Sequence, residues 1–171
     1  MCAGARRAAL VMAVALSVVP TGCAGRRIHD GIFHSEHGYR VSLPGPGWRV
    51  VDDGRTDLAL RRDDGSAGML AHATCRAEAA RRSYDLLERH LLLGLRDRAT
   101  LEEGEADLAG RPAYHRVVEG RPREGDQRVR IESYLLKNGR CVYDLLYIAS
   151  PDAFEAGRGD FWRFVQSFTV E

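Results

Sequence analysis

The sequence predicts an α+β domain made mostly of antiparallel strands. Short runs alternate apolar and polar side chains, and after Ser83 the apolar period lengthens to about 3.6, the repeat of an amphipathic helix. Asn138-Gly139 also sits between two alternating runs, a strong short-range hairpin signal.

In chain order, Tyr39, Val41 and Leu43 alternate with Arg40 and Ser42 as a half-buried strand, which Pro44-Gly45-Pro46-Gly47 must end. Trp48 to Val51 and Leu58 to Arg61 continue as short strands. After the Asp63-Asp64-Gly65 turn, Met69, Ala71, Ala73 and Cys75 fall on one face of a strand running to Arg76. Tyr84, Leu87, Leu91 and Leu95 form a helical stripe with Ser83 as N-cap, Asp85 at the positive end of the dipole and Arg96 and Arg98 at the other. Leu86, Leu92 and Leu93 widen that stripe, as suits a helix lying across a sheet.

Leu101 to Leu108 and Ala113 to Val118 read as strands flanking Ala109-Gly110-Arg111-Pro112. Val129 to Leu136 then pairs with Cys141 to Ala149. With Asn138 and Gly139 at the tip of a type I′ turn, Tyr134 faces Tyr143 and Arg130 faces Tyr147, while Leu135, Ile131 and Val129 share the opposite face with Val142, Leu146 and Ile148. The aliphatic face is the expected core and the aromatic face the mixed one. Ser150-Pro151-Asp152 starts a helical segment, Gly157 and Gly159 weaken its middle, and Phe161, Phe164, Val165 and Phe168 anchor its end before a short closing strand.

The first 22 residues read as a processing signal. Arg6 and Arg7 precede a 12-residue apolar run, Ala8 to Val19, that is too short to span a bilayer. Pro20-Thr21-Gly22-Cys23 resembles the lipobox of bacterial lipoproteins, with Pro20 where an aliphatic residue is usual; an ordinary secretory signal is the alternative. Cleavage before Cys23 would leave a lipidated cysteine, a tether over residues 23–32 and one domain over 33–171. Ala24, rather than Asp, after the cysteine favours the outer membrane, with the domain facing the periplasm.

Composition narrows the function. The 171 residues are 44% hydrophobic and 29% charged, which excludes a disordered tail, a collagen-like rod and a multi-pass membrane protein. Removing the signal leaves 23 basic against 24 acidic side chains, a balance with no clustered positive charge to draw nucleic acid. The sequence has no GxSxG elbow, HExxH helix, P-loop or CxxC pair, so no enzyme class and no cofactor is expected.

Gly38-Tyr39-Arg40-Val41-Ser42-Leu43-Pro44 with Gly47-Trp48, Gly110-Arg111-Pro112-Ala113-Tyr114, Val142-Tyr143-Asp144-Leu145-Leu146-Tyr147 and the Phe161–Phe168 helix end together resemble the PsbP-like superfamily, which shares its fold with the Ran-binding Mog proteins. The resemblance implies an antiparallel sheet with helices on both faces, an α/β/α sandwich. It also implies a non-catalytic binding or assembly factor of the cell envelope, with a small-ligand or metal-binding carrier as the alternative.

Four groups are candidate sites. Cys75 and Cys141 remain as a pair in an oxidising compartment, for a disulfide or as two buried thiols. Arg130, Tyr134, Tyr143 and Tyr147 offer a face for an unknown protein or small-molecule partner unless a helix covers it. His34 and His37, with His29, Asp30 and Glu36 around them, form the one dense set of metal-ligand types, and a solvated, mobile segment is the plainer reading. Arg158-Gly159-Asp160 copies an integrin-binding tripeptide but falls inside the helical segment.

Overall fold

The computed structural model describes residues 27–171, so the expected signal and the expected lipidation site, Cys23, lie outside the described residues. Eleven strands form two antiparallel sheets. The smaller holds β1 (Ile28–His29), β2 (Ile32–Ser35), β3 (Tyr39–Ser42) and β11 (Thr169–Val170) in that order. The larger runs β4 (Trp48–Val51), β5 (Leu58–Arg62), β6 (Ala67–Cys75), β10 (Cys141–Ala149), β9 (Val129–Asn138), β8 (Arg111–Pro122) and β7 (Leu95–Leu108). Helices α1 (Ala77–Ala80) and α2 (Tyr84–Leu91) lie on one face of the large sheet and α3 (Pro151–Gln166) on the other. Ile28, Ile32 and Phe33 pair or pack where a tether and a mobile segment were expected.

The expected helix starts as read and ends early. Ser83 caps α2 by accepting from Leu86 N at 3.3 Å. After Leu91 the chain turns, and Leu95 N donates to Leu92 O. Leu92 and Leu95 drop together onto Val118, Ile131 and Leu146, with Leu95 lying where a side chain on Gly120 would stand. Leu92 and Leu95 thus cap a second, smaller core while Leu86 and Leu93 stay exposed, and β7 begins six residues before the expected strand.

The β9–β10 hairpin is shifted by two residues. Cys141 pairs with Asn138, Tyr143 with Leu136 and Tyr147 with Glu132. The tip is Gly139-Arg140, and only Gly139 has positive φ, 58°. Both central residues of a type I′ turn need positive φ; that geometry occurs instead at Ala109-Gly110, φ 57° and 71°, where β7 turns into β8. An even shift keeps each side chain on its face.

The roles of the two faces are reversed. The principal core lies on the aromatic face, where Leu136, Tyr143, Leu145 and Tyr147 meet Phe154, Phe161, Phe164 and Phe168. α3 is continuous through both glycines. Its stripe of Phe154, Gly157, Phe161, Phe164 and Val165 is buried, and Trp48 Nε1 donates to Asp160 Oδ2 at 2.9 Å, tying edge strand β4 to the helix. The aliphatic face carries the smaller core under α2 and is open beyond it.

Cys75 and Cys141 are directly opposed on β6 and β10 and are joined by a disulfide, Cα to Cα 3.9 Å.

Candidate functional site

A groove of about 380 Å³ runs between α3 and β9, lined by Glu132, Tyr134, Glu155, Arg158, Gly159 and Trp162. Its floor is set by strand alternation: Glu132 and Tyr134 point to the α3 side, and His115 on β8 is paired with Tyr134. Glu132 is only 4% exposed. His115 Nε2 donates to its Oε1 at 2.8 Å and Arg158 Nε to its Oε2 at 3.0 Å, so both carboxylate oxygens are engaged. Arg158 Nη2 also donates to Glu102 Oε2 on β7 at 2.6 Å, which holds the Glu102 carboxyl below its ordinary range and raises that of the guanidinium.

Rings complete the floor. Tyr134 stacks obliquely on His115 at 4.5 Å and meets Phe161 at 5.9 Å; burial and the nearby Glu132 charge push its hydroxyl up to about 12. Above them Trp162, one helical turn beyond Arg158, is 57% exposed. The groove joins a fixed ion-paired floor to an exposed indole. The His115–Glu132 pair is spent on holding Arg158.

The structure divides the expected partner face. Tyr134 lines the groove. Arg130 lies beside it, donating to Glu119 at 3.0 Å and stacking on Phe154 at 5.1 Å. Tyr143 and Tyr147 are not surface residues, because Tyr39 and Phe168 cover the first and α3 covers the second. Tyr143 packs edge-on to Tyr39, and Tyr147 lies against Phe154 and Phe161 with its hydroxyl donating to Phe154 O at 2.9 Å. Arg158 and Asp160 both turn inward, so the Arg158-Gly159-Asp160 tripeptide presents no integrin-type loop. Trp162, Glu132 and His115 were not singled out from the sequence as partner residues. A large aromatic residue directly after Phe161, and so off the Phe161 stripe on the helix's open side, was the available signal for Trp162.

His34 and His37 turn to different carboxylates, His34 Nδ1 lying 3.8 Å from Glu171 and His37 Nδ1 3.0 Å from Asp57. Among the described residues no group of three or more His, Cys, Asp or Glu is placed to hold a metal ion. Asp57 is instead a structural joint. From the small sheet it accepts from Ser35 Oγ, His37 Nδ1 and Tyr39 Oη; from β6 it accepts from Ala73 N, and His72 Nδ1 lies 3.5 Å away. Its partners are 15 to 22 positions distant, so no local pattern announces it.

Burial would raise the Asp57 carboxyl, but its contacts with His72 and His37 outweigh burial and bring it from 3.8 down to about 2. Contact with Asp57 holds His72 up against burial. A lowered acid stabilises the fold above its unfolded pKa and loses that contribution as pH falls through about 2, worth roughly 2 kcal/mol. A raised histidine contributes fully below about 6.5 and loses its contribution as pH rises through the folded value. Stability from this joint is therefore expected to peak between about pH 4 and 6.5. Asp57→Asn should lower the thermal midpoint most in that window; an equal loss at all pH values would refute the linkage.

No protein-family model matches the sequence, and no curated protein resembles it closely enough to count as a match. Solved structures do. The solution structure of cyanobacterial PsbP (CyanoP) from Synechocystis sp. PCC 6803 covers 92% of this chain and 99% of its own, with a TM-score of 0.57 at 16% identity. The chain has the PsbP-like fold. The same fold relates it to LpqN of Mycobacterium tuberculosis, described as involved in cell envelope biogenesis, over 79% of this chain and 85% of LpqN (TM-score 0.55, 14% identity). It also relates it to the Saccharomyces cerevisiae Ran-binding protein Mog1p, over 78% and 90% (TM-score 0.52, 12% identity). At these identities the PsbP-like fold is a shared shape, with antiparallel sheets and few helices. No described helix is long and apolar enough to cross a membrane.

Proposed function

We propose that this protein is a non-catalytic accessory factor of the bacterial cell envelope, anchored by lipid on Cys23, that works by binding a protein partner in the groove between α3 and β9. The exposure of Trp162 above an ion-paired floor carries the reading. A large aromatic left in water beside a fixed arginine is the composition of an interface hot spot. The lipobox-like Pro20-Thr21-Gly22-Cys23 and the involvement of LpqN in cell envelope biogenesis support the location.

The test is native followed by denaturing mass spectrometry of full-length protein extracted from its own membranes, with and without Trp162→Ala. The denatured mass is expected to begin at an acylated Cys23, and the native spectrum to carry a partner. Trp162→Ala should weaken that partner by about 2 kcal/mol, roughly thirtyfold, while shifting stability by no more than about 0.5 kcal/mol, as for an exposed substitution. Undiminished capture by Trp162→Ala would remove the groove from the interface. A mass that retains residues 1–22 or lacks lipid would remove the anchor.

A further inference from the structure

The aliphatic face of the large sheet lies opposite the α3 groove. Because α2 stops at Leu91, the face is covered over β8, β9 and the adjoining Thr74 and Val142 ends of β6 and β10, and open over β4, β5, the Gly68 end of β6 and the far end of β10. Two adjoining depressions occupy the open part and share Val129 and Ile148 as floor. One, of about 190 Å³, is an apolar pit among Leu92, Leu95, Ile131 and Ile148. The other, of about 530 Å³, is a broad trough open to solvent, running past Gly68 to Val51. Leu93 stands at the lip of the pit, 57% exposed.

The charge lining the open part of this face has one sign. Arg61 and Arg128 are the only charged side chains lining either depression. Arg49 is directly opposite Arg61 across the β4–β5 pair, a like-charge juxtaposition that costs stability. Arg62 takes Asp64 and Arg128 takes Glu119, while among the described residues neither Arg49 nor Arg61 has a carboxylate at ion-pair distance. Gly68, inside β6 and opposite both Arg61 and Ile148, leaves bare backbone in the trough floor. A glycine inside a strand weakens it and often marks where another backbone comes close.

We propose that this open sheet face docks an acidic, amphipathic segment of a protein partner. One apolar side chain of about leucine size seats in the pit, the segment's backbone crosses Gly68, and its carboxylates meet Arg61, Arg49 and Arg128. A free acyl chain fits less well, because ligand pockets enclose most of a small ligand's surface and this trough is open along its length. A bilayer fits less well too, because interfacial binding needs protruding apolar side chains and here all but Leu93 are recessed between arginines.

The probe is a fluorescein-labelled acidic amphipathic peptide with leucines at helical spacing and glutamates elsewhere, titrated against the full chain by anisotropy. A scramble of the same composition, a glutamate-to-lysine counterpart and phosphatidylglycerol vesicles serve as comparisons. The acidic amphipath is expected to bind, and Arg61→Glu to weaken it roughly tenfold, the scale of a charge pair at an interface. Gly68→Val, which fills the trough where an added Cβ meets only Leu60 O at 3.5 Å, should block it. If Arg61→Glu fails to fold, Arg128→Glu in the loop before β9 carries the same expectation. Equal binding of the scramble or the lysine peptide, indifference to Arg61→Glu and Gly68→Val, no peptide binding, or binding of vesicles in place of the peptide would each overturn the proposal.

Discussion

Gly157→Ala should cost about 2–3 kcal/mol, the range for a side chain forced into a filled core, whereas Gly159→Ala two residues on should gain about 0.5–1 kcal/mol from helix propensity. The substitutions are chemically identical and both lie inside α3. They differ in what the new methyl meets. At 157 it would run into the Tyr147 hydroxyl and ring, which cannot yield because that hydroxyl is bonded to Phe154 O and the ring is held between Phe154 and Phe161. At 159 nothing lies within 4 Å. For a domain of this size the first change should lower the thermal midpoint by about 5–10 °C. Circular dichroism melts check the pair, and shifts of the same sign for both would show that α3 does not lie on Tyr147.

Reducing the Cys75–Cys141 bond, or replacing both residues with Ser, is expected to remove about 4 kcal/mol of stability in the chain-entropy model. The bond closes a sequence separation of 66 residues, which holds down the unfolded chain far more than the folded one. In the native state β6 and β10 are already paired along their whole length, so cutting the link changes few folded contacts. A loss of that size is a large share of the roughly 5–15 kcal/mol that holds a domain together. Urea titrations with and without dithiothreitol measure it. A change below about 1 kcal/mol would place the contribution outside the chain-entropy range.

Local chemistry was legible where it acts locally. Ser83 caps its helix, Pro151 opens the next, and the period-two runs become strands in the expected order. The face of each residue in β9 and β10 also followed from alternation, even with the register two residues off. What alternation leaves open is which face a helix will cover. Leu135 and Ile131 look like better core than Tyr143 and Tyr147, yet α3 brings phenylalanines that need aromatic neighbours, and these outweigh the aliphatic side. The early end of α2 was hidden for a similar reason. Leu92 and Leu95 fit a helical stripe equally well, and only the space over Gly120, 25 positions away, draws Leu95 out of it. The groove was visible only through Tyr134, with Arg130 beside it, because most of its other parts come from β8 and α3.

Strand β7 is an edge that other chains could pair with, and its shape works against that. It is the long free margin of the large sheet, with unpaired backbone groups along one side. Its pairing with β8 slips twice, between Arg96 and Ala99 and between Thr100 and Glu102, and Asp97 takes a positive φ of 52°. Glu102, Glu103, Glu105 and Asp107 then crowd its second half. A kinked, charged margin offers no straight run for a second chain to zip onto. Under the lipid anchoring proposed above, molecules crowded on a two-dimensional surface would lie close along that margin without growth into fibres.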